Sequence, residues 1–138
     1  MNNIDFLHFP SIEHLDLFFK KNIENQKTFR YFKSRKYEVI KNHKKRILAY
    51  NDEKYLGYGH LDVENNKIWL GIMVCDDCKG LGIGGKIMTE LLTDVNEDIY
   101  LTVDKTNSTA INLYKKHHFI IIDDSNNFHF LMKKQKNL

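Results

Sequence analysis

The sequence predicts an α/β fold: a mixed, largely antiparallel twisted sheet of about six to seven strands, flanked by about four helices. Three observations predict it. Alternating segments follow one another between Arg46 and Val74, separated by short polar turns. Segments with helical spacing, within 82–96 and 108–117, are interleaved with further strand-like segments. One proline and seven glycines exclude a loop-dominated chain.

The elements follow in order. Ile4 to His8 alternates loosely and reads as a first strand. Pro10-Ser11 opens a helix with Ser11 as N-cap, and Ile12, Leu15, Leu17, Phe18 and Phe19 keep helical spacing. A second helix falls within Phe29 to Lys41. Arg46 to Tyr50, Tyr55 to Val63 and Lys67 to Val74 form an antiparallel meander, with turns at Asn51–Lys54 and Glu64–Asn66. Gly82 to Asn96 is a helix whose Ile83, Ile87, Met88, Leu91, Leu92 and Val95 share one face. Ile99 to Val103 is a short strand, and residues 67–103 form a strand-helix-strand unit that brings a parallel pair into the sheet. Ser108 to His117 is a helix capped by Asn107 or Ser108. Phe119 to Ile122 and Phe128 to Met132 close the chain as a hairpin. Residues 1–138 read as a single domain, without repeats or linkers.

Composition bounds the function. A net charge of +3 is too weak a field for a typical nucleic-acid binder, and no recognition motif is present. The basic residues cluster: Lys27, Arg30, Lys33, Arg35, Lys36, Lys41, Lys44, Lys45 and Arg46 face one acid, Glu38, within residues 27–46. Such a run is either a solvated face or an approach surface for phosphates. No apolar run is long enough to span a bilayer, and Asp5, His8 and Glu13 interrupt any signal-peptide core. The expectation is a soluble, cytoplasmic protein without structural disulfides. Cys75 and Cys78 have CxxC spacing, but no further zinc ligands are suitably spaced. They are expected to fill space, and no metal is expected.

The informative stretch is Lys79-Gly80-Leu81-Gly82-Ile83-Gly84-Gly85-Lys86, between a strand and an amphipathic helix. Alternating glycines let the backbone approach a ligand. The helix start adds unpaired N–H groups and the positive end of the dipole. The stretch reads as a pyrophosphate cradle or, more plainly, as a structural turn. A P-loop would need Ser or Thr after Gly85-Lys86, where Ile87 stands. A dinucleotide fingerprint would need another glycine spacing.

Lys79-Gly80-Leu81-Gly82-Ile83-Gly84 resembles the acetyl-CoA signature of the GCN5-related N-acetyltransferase (GNAT) family, which is Gln/Arg, two residues, Gly, one residue, then Gly or Ala. Asn107-Ser108-Thr109-Ala110-Ile111-Asn112-Leu113-Tyr114, followed by Phe119, resembles the family's second pattern of Asn, two residues, Ala, two residues, Leu-Tyr, then Gly-Phe. The similarity covers about residues 46–133. Lys79 departs from Gln or Arg, keeping charge without the guanidinium fork. His118 stands where Gly is usual before Phe119.

The resemblance implies a GNAT-like sheet with a cofactor-binding core at 46–133 and acceptor-side helices within 1–45. It implies acetyl-CoA as cofactor, with coenzyme A as product. It assigns the cofactor to Lys79, Gly80, Leu81, Gly82, Ile83, Gly84 and Gly85, to main-chain groups of Ile72, Met73 and Val74, and to Asn107, Ala110 and Tyr114. Tyr114 is the natural acid for a departing thiolate, since a phenol with pKa near 10 is protonated at neutral pH. Its plain alternative is a core tyrosine.

Alternation along Tyr55 to Val63 puts Leu56, Tyr58, His60 and Asp62 on one face. His60 has the intrinsic pKa of a base at neutral pH, and Asp62 could orient it, act through water or bind the amine. The plain alternative is a polar face turned to solvent. Phe29, Arg30 and Tyr31, with Tyr58 and His60, are the expected acceptor-binding residues.

The expected function is acetyl transfer to a primary amine of a small molecule by direct attack in a ternary complex. The segment from Phe29 to Arg35 and the strand Gly57 to Asp62 look similar to small acetyltransferases of amino-sugar pathways, which favours a nucleotide-linked amino sugar. The rivals are a protein or peptide N-acetyltransferase and a non-catalytic CoA-binding sensor module. Neither nucleic acid nor membrane is an expected partner, and the chain is expected to be a monomer or homodimer.

Overall fold

The computed structural model describes residues 4–21 and 44–137. Among these residues seven strands form one sheet: β1 (Asp5–His8), β2 (Lys45–Tyr50), β3 (Tyr55–Glu64), β4 (Lys67–Val74), β5 (Ile99–Asp104), β6 (Ile120–Asp123) and β7 (His129–Lys134). Their order is β1-β2-β3-β4-β5-β7-β6, and β4–β5 is the parallel pair. Three helices lie among the described residues: α1 (Ile12–Lys21), α2 (Ile83–Leu92) and α3 (Ser108–Lys116). The helix expected within Phe29 to Lys41 lies outside them.

The local chemistry accounts for the elements. Asn51 accepts from the backbone N–H groups of Glu53 and Lys54 through its side-chain oxygen, fixing the β2–β3 turn. Ser11 accepts from the His14 N–H at 3.3 Å, which is the N-cap role. Leu15 and Phe18 bury the inner side of α1, whereas Leu17, expected on that stripe, is 56% exposed.

Helix α2 buries Ile83, Ile87, Met88 and Leu91 against the sheet. Each such side chain contributes roughly 1.5–3 kcal/mol. The helix comes close because β3 carries Gly57 and Gly59 beneath it. A Cβ at Gly59 would stand 2.6 Å from Leu91 Cδ1 and 2.7 Å from Ile87 Cγ2. The helix ends at Leu92, short of the expected Asn96, with Thr93 as C-cap and Asp94 at φ 60°. Lys45 donates to the carbonyls of Glu90, Leu91 and Thr93, so one cation of the basic run caps this helix end. Arg46 donates to the Pro10 carbonyl at 3.0 Å, tying β2 to the start of α1.

The departure at His118 has a structural meaning. His118 takes φ 73°, the left-handed conformation that glycine adopts most easily. The His118 N–H donates to the Lys115 carbonyl and the Phe119 N–H to the Tyr114 carbonyl. This is a Schellman ending, completed by the Tyr114 and Phe119 rings at 6.0 Å. The helix therefore closes despite the histidine.

The expectation of no disulfide is corrected. Cys75 and Cys78 are bonded across a short turn, their Cα atoms 5.2 Å apart. That spacing suits a disulfide. The turn leads into the glycine stretch, and Lys54 pairs with Asp77 within it at 2.8 Å. Among the described residues no helix is long and apolar enough to cross a membrane.

Candidate active site

The site originates in a break between two strands. β4 and β5 pair only through Ile68 with Ile99 and Trp69 with Tyr100, although β4 runs on to Val74 and β5 to Asp104. Beyond that pairing no ladder joins them, and a cavity of about 870 Å³ opens. Its walls include Leu70 to Val74 from β4, Thr102 to Asp104 from β5, and parts of both following helices.

The glycine stretch closes one end. Gly80 and Gly82 have φ of 85° and 79°, values that L side chains rarely adopt. Gly82 is the N-cap of α2 and supplies no side-chain cap, so the first-turn N–H groups face outward. A Cβ at Gly80, Gly82 or Gly85 would meet nothing within 4 Å. This open cradle, with α2's positive end behind it, suits a pyrophosphate. Gly84 differs: its Cβ would meet Leu113 Cδ2 at 2.9 Å, so its smallness seats α2 beside α3.

Helix α3 supplies the opposite wall. Asn107 caps it, accepting from the Ala110 N–H at 3.3 Å. Asn107, Ala110 and Tyr114 all line the cavity. Tyr114 is only 6% exposed, and burial pushes its phenol well above its usual value. It therefore stays protonated through neutral pH.

The polar face of β3 forms the third wall. His60 and Asp62 line the cavity, so this face turns inward to the site, not to open solvent. His60 is 1% exposed. Its Nδ1 lies 3.0 Å from the Tyr58 hydroxyl. Cross-strand pairing sets Gly71 opposite His60 and Trp69 opposite Asp62. Along β4 the order from the β3–β4 turn is Trp69, Gly71, Met73, then the glycine cradle. Trp69 to Val74 spans about 17 Å at 3.3–3.4 Å per residue.

Most of the expected residues therefore meet in one cavity: Ile72, Met73, Val74, Lys79, Gly80, Gly82, Ile83, Gly84, Gly85, Asn107, Ala110, Tyr114, His60 and Asp62. Two do not line it. Leu81 points away and is 61% exposed, and Tyr58 is wholly buried behind His60. Phe29, Arg30 and Tyr31 lie outside the described residues. The cavity also holds residues the sequence reading missed. Thr109, Asn112 and Lys116 line it from α3, and their spacing of three and four was the available signal. Trp69 and Gly71 share alternation with Met73. Glu64 comes from the end of β3 and Asn65 from the β3–β4 turn.

Charged residues line the cavity at both ends of β4: Lys79 belongs to the glycine stretch, while Asp62 and Glu64 stand toward the β3–β4 turn. A parted parallel strand pair, a glycine stretch at the start of α2 and a buried, protonated tyrosine thus surround one cavity. The chain belongs to the acetyltransferase (GNAT) family, whose model matches residues 9–119. It is an acetyl-CoA-dependent N-acetyltransferase.

Solved structures agree in fold. The PaiA N-acetyltransferase from Thermoplasma acidophilum, in complex with coenzyme A, has a TM-score of 0.74 at 21% identity, over 96% of this chain and 99% of that one. The Campylobacter jejuni N-acetyltransferase PseH gives 0.66 at 21% identity, over 98% and 99%. A spermidine N-acetyltransferase, the SpeG N152L mutant from Vibrio cholerae, gives 0.71 at 14%, over 94% and 92%. No protein of curated function matches the sequence significantly.

Proposed function

We propose that the cavity passes an acetyl group directly to a primary amine of a small molecule in a ternary complex, with a nucleotide-linked amino sugar as the favoured acceptor. The observation that carries this reading is one continuous cavity. It runs from the glycine cradle, past Tyr114 and His60, to Trp69 and the carboxylates of Asp62 and Glu64.

Bound acetyl-CoA supplies an activated thioester. Backbone groups from Lys79 to Gly85, Leu81 and Ile83 included, would hold its pyrophosphate, with the Lys79 charge alongside. The main chain of Ile72, Met73 and Val74 would hold the pantetheine arm. Asn107 and Ala110 complete that side. Tyr114 keeps its proton and donates it to the departing sulfur. His60 takes a proton from the acceptor amine, and Asp62 steadies the resulting charge. Burial of both proton carriers strengthens these interactions by lowering the local dielectric.

The acceptor assignment rests on the far end of the cavity. Trp69 offers an aromatic face for a sugar or base. Asp62, Glu64 and Asn65 offer acceptors for hydroxyl groups. Phe29, Arg30 and Tyr31 are assigned to the same acceptor, with the arginine for phosphate. A second reading has its own support: two carboxylates at this end would equally suit the spare ammonium of a polyamine. Coenzyme A release with a panel containing nucleotide-linked amino sugars, spermidine and a basic peptide separates the readings. Turnover highest with the sugar nucleotide is expected. Preference for spermidine or the peptide would replace the acceptor, and no release with any amine would favour a CoA-binding module.

A further inference from the structure

We propose that the Cys75–Cys78 disulfide is a redox switch on cofactor binding: oxidised, it holds the glycine stretch in its binding shape, and reduced, it lets that stretch loosen. The inference rests on the proposed assignment of Lys79 to Gly85 to the cofactor's pyrophosphate.

The observation that carries it is how little else holds the stretch. Asp76, Asp77 and every residue from Lys79 to Gly82 are exposed. Between Cys75 and Ile83 the one buried residue is Cys78, 1% exposed. Cys75 is fixed to the sheet, since its N–H donates to the Leu56 carbonyl at 2.8 Å. The disulfide bonds Cys78 to that fixed point. From Cys78 the hold passes on. The Leu81 N–H donates to the Cys78 carbonyl at 3.3 Å, and Gly82, next in the chain, is the N-cap of α2. Gly80 and Gly82 have open space where a Cβ would stand, so packing there does not fix them. Glycine also has the widest choice of other conformations. Beside the disulfide, Cys78 is held by its N–H bond to the Cys75 carbonyl at 3.1 Å. The Lys54–Asp77 pair adds an exposed ion pair, which contributes little.

The switching step is thiol–disulfide exchange with a small-molecule thiol such as glutathione. One thiolate attacks one sulfur and forms a mixed disulfide, while the other cysteine leaves as a thiolate and takes up a proton. A second thiol then displaces the remaining cysteine, which is protonated in turn. Two small thiols become one disulfide, and the protein gains two S–H groups with the two electrons. The step reverses with that small disulfide as oxidant. Reduced cysteines still pack as small hydrophobes. A bond closing so short a loop constrains the unfolded chain less than one closing a long loop. The effect of reduction is therefore local to the connection between β4 and α2.

The test is titration calorimetry with desulfo-coenzyme A, a thiol-free probe, on oxidised protein and on protein reduced with a phosphine. Alkylation and mass spectrometry establish the state of both cysteines. Oxidised protein should bind about tenfold tighter, the cost of ordering roughly one more backbone residue. By linkage, saturating probe should shift the thiol–disulfide ratio in a glutathione buffer toward the disulfide by the same factor. The Cys75→Ser/Cys78→Ser double variant should bind like reduced protein in either buffer. If it does not fold, the wild-type affinities and the buffer ratio decide. Equal affinity in the two states overturns the switch, as do two free thiols after equilibration with glutathione disulfide. If Gly82→Val abolishes binding while redox state changes nothing, the cofactor assignment stands and the switch alone is wrong. Binding in neither state removes the assignment and the switch together.

Discussion

Gly71 stands directly across the β3–β4 ladder from His60, and both line the cavity. Cross-strand partners share a face, so any side chain at 71 would project beside the imidazole. Gly71→Val should therefore obstruct the acceptor more than the cofactor. Acceptor kcat/KM should fall roughly tenfold or more, the scale of a misplaced methyl-sized group. Steady-state kinetics with each substrate varied in turn checks this. Equal losses for both substrates would mean that residue 71 lies outside the acceptor path.

The cradle makes a sharper demand. Gly82 combines φ 79° with open space where its Cβ would go. Gly82→Val both strains that backbone and fills the space. Titration calorimetry should show coenzyme A affinity lost in a folded variant. Lys79→Ala should weaken binding only severalfold, because a single exposed charge contributes up to about 1 kcal/mol. Unchanged affinity in Gly82→Val would remove the loop from the cofactor site.

Tyr114 should act at the transfer step. Tyr114→Phe should lower kcat by roughly 10²- to 10⁴-fold, the range for one general acid, while coenzyme A affinity stays near wild type. Burial raises the phenol's pKa, so folded Tyr114 keeps its proton above pH 10 while the unfolded chain loses its own. The unfolded state then binds fewer protons, and this residue's contribution to stability falls as pH rises above about 10. Urea unfolding at pH 9 and above should show that decline reduced in Tyr114→Phe. Wild-type turnover in the variant would exclude Tyr114 from the mechanism.

His118 holds a left-handed backbone at the end of α3. That conformation costs an L residue roughly 1–2 kcal/mol, part of which a glycine returns through its freer unfolded chain, about 0.4–1 kcal/mol. His118→Gly should therefore stabilise the fold by roughly 0.5–1 kcal/mol. Chemical denaturation measures it. A loss of stability would mean that the histidine side chain makes a compensating contact.

Much of this was legible in the sequence, for physical reasons. The meander and both later helices announced themselves because alternation and helical spacing encode which face is buried. Asn107 was readable as a cap because its side chain competes for backbone N–H groups. Helix ends were harder: α2 stops at Leu92 because Asp94 turns left-handed, which no periodicity reveals. The cavity was illegible for a different reason. It depends on where β4 and β5 stop pairing, a relation between strands about thirty residues apart in sequence. Trp69, Gly71 and Lys116 were missed with it. Tyr58 and His60 were placed on one face correctly, but alternation alone could not say that one lines the cavity and the other backs it.

The central claim is that His60 relieves the acceptor amine of its proton inside this cavity. An alkylamine is mostly ammonium at neutral pH and cannot attack, so a base matters most below the amine's own pKa. The decisive measurement is the pH–rate profile of kcat/KM for wild type and His60→Ala with one confirmed acceptor. His60→Ala should lose most activity below the amine's pKa and recover part of it at high pH. Profiles that run parallel across the whole range would contradict the account and leave the proton to water or to Asp62.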